Sequence, residues 1–193
     1  MAGRKAASQF ARLGAFNRES GEVNVIVDTP RGSRNKFKYD EEYQLFKLGS
    51  VLPSGAVFPF DFGFIPETRG EDGDALDVLM LIDEPTFVGC LVSVRLIGVI
   101  EAEQIENGET IRNDRLIAVA TESRNHREVQ TLGQLSQNLL DEIEHFFVSY
   151  NQAKGKEFKI LGRFGPERAE KIVKAGMPSA QRRQARKRTR KRK

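Results

Sequence analysis

Cysteine is almost absent from this chain: Cys90 is the only one in 193 residues. No intrachain disulfide can form, and Cys90 sits in an apolar stretch, where a thiol behaves as a small buried hydrophobe. Histidine is scarce too. His126 and His145 lie far apart, and His145 falls in an amphipathic stretch where a structural role is expected. The sequence holds no H-E-x-x-H, no Walker-type phosphate loop, no G-x-G-x-x-G and no paired cysteines. Nothing specific supports a serine–histidine triad. No apolar run approaches the ~20 residues needed to span a bilayer. Met1-Ala-Gly-Arg-Lys-Ala-Ala-Ser8 has charge but no apolar segment, so no secretory signal is read. A cytoplasmic protein is the expectation.

Acidic charge is missing from one place in particular. Residues 182–193 hold nine Lys/Arg and no acid, and removing that +9 from the chain's formal +4 leaves a body at −5. The basic balance therefore describes a tail. Its basic residues are not interleaved with aromatics, so it could bind nucleic acid or another polyanion through counterion release, without reading sequence. A solvated, disordered end is the equal alternative.

The length suits one domain with a hydrophobic core plus tails. Residues 1–20 read as a loosely held basic arm, 21–178 as the folded domain and 179–193 as a disordered basic tail. Val23–Val27 reads as a first strand and Lys36-Phe37-Lys38-Tyr39 as a second. There Lys36 and Lys38 point to one side, Phe37 and Tyr39 to the other. Val78–Leu81, Leu91–Ile100 and Leu116–Ala120 are further strands, with Asn107-Gly108 as a hairpin turn. Phe58, Phe60, Phe62 and Phe64 alternate and would stack rings on one face. Leu135, Leu139, Ile143, Phe146, Phe147 and Tyr150 recur at helical spacing, predicting a helix over 132–150 capped by Thr131. A second helix is predicted from Pro166 to Gly176. The pattern predicts a mainly β domain, a small closed barrel with helices appended late.

The chemistry concentrates in Glu71-Asp72-Gly73-Asp74-Ala75-Leu76-Asp77, which runs into the apolar strand Val78-Leu-Met-Leu81. A glycine turn followed by a strand can aim Asp72, Asp74 and Asp77 at one point, and hard divalent cations take clustered oxygen ligands of this kind. Asp28 ends the first strand and could join them. Lys36, Lys38 and Arg115 supply cations from other strands. Acids that hold a metal beside cations that hold an anion are what phosphoryl chemistry needs. Each cation taken alone would more simply be part of a solvated strand face.

The order of segments then becomes specific. Val25-Ile-Val-Asp-Thr-Pro30, Asn35-Lys-Phe-Lys-Tyr-Asp40, the aromatic run 58–65, Asp72-Gly-Asp-Ala-Leu-Asp77, Val94–Val99, Asp114-Arg-Leu-Ile-Ala-Val119 and His145-Phe-Phe-Val-Ser-Tyr150 follow one another with characteristic gaps. Over about residues 22–175 the chain resembles the single-domain, Mg2+-dependent soluble inorganic pyrophosphatases, as a divergent member. The resemblance implies an OB-like five-stranded β-barrel with C-terminal helices packed beside it. It implies hydrolysis of pyrophosphate to two phosphates by a metal-activated water, with Mg2+ (Mn2+ or another divalent cation in its place) as cofactor, and a homo-oligomer, often a hexamer. Carried over by position, Asp28, Asp72, Asp74 and Asp77 resemble metal ligands, and Asp74 also resembles the group that takes the proton of the attacking water. Lys36, Arg115 and Tyr150 resemble phosphate-binding groups, and Lys156 a further cation at the phosphate exit.

Most departures from the family pattern remove acid or hydroxyl groups, and two remove a cation. Lys38 stands where a Glu is usual, Phe58 and Phe62 where tyrosines are, Asn113 where an Asp is and Asn151 where a Lys is. Glu103, Glu106 and Glu109 do not align with the family's acidic pair, and Lys47 is the nearest cation to a missing Arg. These changes imply fewer metals, with Lys38 turned toward a phosphate. They leave room for a larger phosphoanhydride as substrate, or for a weakly active scaffold that binds polyanions.

Overall fold

The computed structural model describes residue 10 and residues 13–178. The expected disordered tail over 179–193 lies outside the described residues. Among the described residues, nine strands and two α-helices follow in order: β1 Val23–Thr29, β2 Asn35–Asp40, β3 Leu45–Val51, β4 Asp61–Phe64, β5 Asp77–Leu81, β6 Leu91–Glu106, β7 Glu109–Arg112, β8 Arg115–Ala120, α1 Gln137–Gln152, β9 Glu157–Phe164 and α2 Pro166–Gly176.

β1 pairs with β4, β4 with β5, β5 with β8 and β8 with β6, and β6 returns to β1, so these strands close a five-membered ring. Only the β5–β8 pairing is parallel. The long β6 runs past the ring and carries β7 and β9 on its far half. β2 and β3 form a separate hairpin. The expected closed five-stranded sheet with late helices is thus the architecture found.

The ring strands read as unbroken apolar runs because both their faces are covered. On β5, Val78 and Met80 join a buried cluster that takes in Ala169 and Val173 of α2. Leu79 and Leu81, facing the other way, join a cluster with Leu140, Ile143 and Phe147 of α1. Fully burying a side chain such as Phe147 contributes about 1.5–3 kcal/mol. Close approach inside the ring requires Gly63, where a Cβ would stand 2.3 Å from the Ile26 carbonyl oxygen.

Three expectations are modified. The single helix over 132–150 is instead a 3-10 turn, Leu132–Gln134, followed by α1. Leu135 is extended between them, and Ser136 is the residue that caps α1, accepting from the Leu139 N–H at 3.3 Å. The phenylalanine run splits: Phe58 and Phe62 pack together and reach α1, whereas Phe64 lies among Tyr39 and Phe10. The described part of the 1–20 arm is packed down, with Ala15 buried and Phe16 bridged to Val23. That segment contributes apolar groups the core can cover, which its basic composition hid.

Candidate active site

β1 delivers Asp28, buried at its C-terminal end, and β2 delivers Lys36, buried opposite it. Lys36 Nζ donates to both carboxylate oxygens of Asp28, at 2.7 and 2.8 Å. The same ammonium lies 4.3 Å from the Phe62 ring centroid and 5.7 Å from that of Phe58. The two rings that lack the expected hydroxyls therefore face a cation with their π-systems. Burial pushes the Asp28 carboxyl up; Lys36 pulls it back, and Asp77 adds to the rise.

The acidic turn is built by local hydrogen bonds. Gly70 N–H donates to the Asp74 carbonyl at 2.8 Å, and Asp74 N–H donates to Asp72 Oδ1 at 3.1 Å. Gly73, at φ 85°, takes the left-handed position this turn requires. The turn's carboxylates then diverge. Asp74 Oδ2 accepts from Lys38 Nζ at 3.0 Å. Asp77, the first residue of β5, accepts from Arg115 Nη1, which also donates to Asn113 Oδ1 at 2.6 Å. Asp72 pairs with no cation among the described residues: burial raises its carboxyl, and the charges of Asp77 and Asp74 add to the rise against the pull of the Asp74 N–H and Arg115.

β8 begins with Arg115, buried with its guanidinium 5.3 Å from the Phe147 ring and 5.5 Å from the Phe158 ring. Its Nε is buried with no hydrogen-bond partner among the described residues. Tyr150 reaches the same place from α1, its ring 5.5 Å from Phe58. Its phenol is pushed up to about 12 by burial and by Asp77, with Arg115 and a bond to Ser50 pulling down. Asp28, Lys36, Lys38, Asp72, Asp74, Asp77, Arg115 and Tyr150 thus interact as one network of charges.

The remaining candidates fall at or beyond its edge. Lys156 pairs with Glu106 at 2.8 Å and also acts electrostatically on Lys154. Lys47 is held by Asp40 at 2.6 Å. Asn151 is buried and donates to the Phe147 carbonyl at 2.8 Å. Asn113 bridges Arg115 and Gln104. On this side a cleft of about 590 Å³ is lined by Asp72, Asp77, Asn113, Arg112 and Lys171. Arg112 on that wall ties Asp114 to Glu101.

The acidic residues Asp28, Asp72, Asp74 and Asp77 offer only carboxylate oxygen, the donor chemistry a hard divalent cation takes. Among the described residues no three His, Cys, Asp or Glu side chains are grouped for one ion. Each of Asp28, Asp74 and Asp77 is instead turned to a Lys or Arg.

The match to known proteins spans nearly all the elements of this architecture. The family model described as inorganic pyrophosphatase matches residues 25–181. The chain belongs to the inorganic pyrophosphatase family. The inorganic pyrophosphatase of a Synechocystis strain is 38% identical over 144 residues, covering 75% of this chain and 83% of that protein. That of Geobacillus stearothermophilus is 37% identical over 155 residues, 80% and 92% of the two chains. Among solved structures, the inorganic pyrophosphatase of Thermus thermophilus superposes with a TM-score of 0.76 at 33% identity, covering 86% of this chain and 94% of that one. Membership in this pyrophosphatase family implies a divalent cation.

The sequence reading overlooked Lys154. It lies just past α1, and its Nζ hydrogen-bonds the Tyr150 hydroxyl and stands 4.0 Å from the Tyr150 ring centroid. The i, i+4 spacing from Tyr150 was the signal available.

Proposed function

We propose that the chain hydrolyses inorganic pyrophosphate to two phosphates. One observation carries this reading: the acidic turn and the cations of β2 and β8 meet in contact, with Lys38 on Asp74 and Arg115 on Asp77. In this reading Asp28, Asp72, Asp74 and Asp77 hold the metal, Mg2+ or alternatively Mn2+. When bound, the divalent cation neutralises charge on phosphoryl oxygens and acidifies water. Asp74 accepts the proton of the attacking water as its oxygen bonds to phosphorus and the bridging P–O bond breaks. Lys36, Lys38, Arg115, Tyr150 and Lys156 hold the phosphate oxygens and stabilise their developing charge. The unpartnered Arg115 Nε supports this role, since an unmet buried donor is costly until an acceptor arrives.

The replacement of Glu by Lys at position 38 favours a second reading, a preference for a larger phosphoanhydride. A panel of pyrophosphate, nucleoside triphosphate and polyphosphate at fixed Mg2+ decides between them. Highest kcat/KM for pyrophosphate is expected; a clear preference for a longer substrate sinks the first reading in favour of the second.

A homo-oligomer, on the family pattern a hexamer, is supported by exposed apolar groups on and beside β3, including Tyr43, Leu45 and Leu48. Sedimentation at micromolar concentration tests it, and a monomer there contradicts it. No described helix is long and apolar enough to cross a membrane. With its single cysteine the chain suits a reducing cytoplasm. The basic tail adds a polyanion contact whose salt-dependent binding should vanish on truncation after Pro178.

A further inference from the structure

We infer that Lys154 is an additional binding residue for the substrate's phosphate, closing the side of the site that Asn151 leaves open. The inference rests on the pyrophosphate reading for the identity of the anion.

The argument begins at the end of α1. The Asn151 side chain is turned inward, buried and bonded to the Phe147 carbonyl, so it presents nothing to the site. Three residues later, Lys154 returns over the helix end. Its ammonium stands 4.0 Å from the Tyr150 ring centroid and bonds the Tyr150 hydroxyl. The Tyr150 ring lies 5.5 Å from that of Phe58, and Phe58 is in turn 5.7 Å from the Lys36 ammonium. Lys154 is therefore joined through one layer of rings to the buried Lys36–Asp28 pair.

The charges around it make this position unusual. The cations acting on Lys154 are Lys36 and Lys38 from β2, Lys156 from the start of β9's approach and Arg115 from β8. Asp28 and Asp77 act on the neighbouring Tyr150 but are held by Lys36 and Arg115. Lys36 has Asp28, Lys38 has Asp74, Arg115 has Asp77 and Lys156 has Glu106, whereas Lys154 makes no ion pair with a carboxylate among the described residues. Partial burial and these four like charges push its ammonium down to about 8. Four cations acting on a fifth that has no carboxylate partner among the described residues call for a polyvalent anion. A phosphate oxygen there would accept from Lys154 and favour its charged form.

The test compares wild type, Lys154→Met and Lys154→Arg at fixed Mg2+. Calorimetry gives the affinities for orthophosphate and for methylenediphosphonate, a non-hydrolysable diphosphate analogue, and pyrophosphate turnover is followed beside them. Lys154→Met should weaken both anions about tenfold, the scale of one charge-assisted hydrogen bond, and raise KM more than it lowers kcat. Lys154→Arg should hold affinity at about pH 7 and lose less of it than wild type by about pH 9, because the guanidinium keeps its charge. Equal thermal midpoints for the three proteins exclude a folding effect. Affinities within twofold in Lys154→Met overturn the inference even where wild type turns over pyrophosphate. Lysine-dependent anion binding without any turnover keeps the anion site and removes the hydrolytic reading.

Discussion

Lys38 Nζ stands 3.0 Å from Asp74 Oδ2, joining two residues 36 positions apart in the chain. The carboxylate assigned to the attacking water is thereby held by a cation that the family pattern would make an acid. In the proposed reading, metal and ammonium compete for the same oxygens.

That competition predicts the behaviour of Lys38→Met. Both side chains are more than half exposed, 57% and 68%, so the pair stabilises the fold by no more than about 1 kcal/mol. Thermal unfolding of the variant should therefore move little. Mn2+ binding to the substrate-free protein should tighten about fivefold, the equivalent of ~1 kcal/mol. Unchanged or weaker Mn2+ binding by calorimetry would show that the ammonium does not compete.

The buried pair behaves differently. Lys36 and Asp28 keep only 9% and 7% side-chain exposure. Lys36→Met leaves the Asp28 carboxylate without its partner and should cost about 3–5 kcal/mol in urea unfolding. Adding Asp28→Asn should recover much of the loss. A double variant as unstable as the single would mean that the deficit comes from repacking around Phe62.

Acid should weaken the fold through Asp83. Its carboxylate accepts from Ser123 Oγ at 2.7 Å and from the Arg124 N–H at 2.8 Å, which holds its carboxyl below the usual carboxylate range. A carboxyl lowered in the folded state contributes its stability above the unfolded value and loses it as pH falls through the folded one. The urea midpoints of wild type and Asp83→Asn should differ most near neutrality and converge below about pH 4. A difference independent of pH contradicts this assignment.

The acidic turn was legible because Asp-Gly-Asp is local chemistry: Gly73 makes the turn, and an apolar strand follows directly. The ring strands were legible as apolar runs. β3 was missed because Lys47 and Gly49 interrupt its pattern and most of it is exposed. β9 was missed because its alternation, with Phe158 buried and its neighbours Glu157 and Lys159 exposed, is weak beside two helical signals. The pairings of Lys38 with Asp74 and Arg115 with Asp77 depend on strand register across the fold, which no local pattern encodes. Lys154 reads as an ordinary surface lysine until the fold sets it beside four other cations.

The most direct measurement is phosphate release from pyrophosphate, with and without Mg2+, by wild type and Asp74→Asn. Asp74 is exposed and, among the described residues, its side chain forms only the Lys38 pair, so the variant should unfold at nearly the wild-type temperature. Mg2+-dependent release by wild type that falls at least about a hundredfold in the variant is the predicted result, the scale expected for removing a positioned general base. Equal release from both proteins would contradict the assignment of Asp74. No release from a folded wild-type protein would contradict the pyrophosphate reading itself.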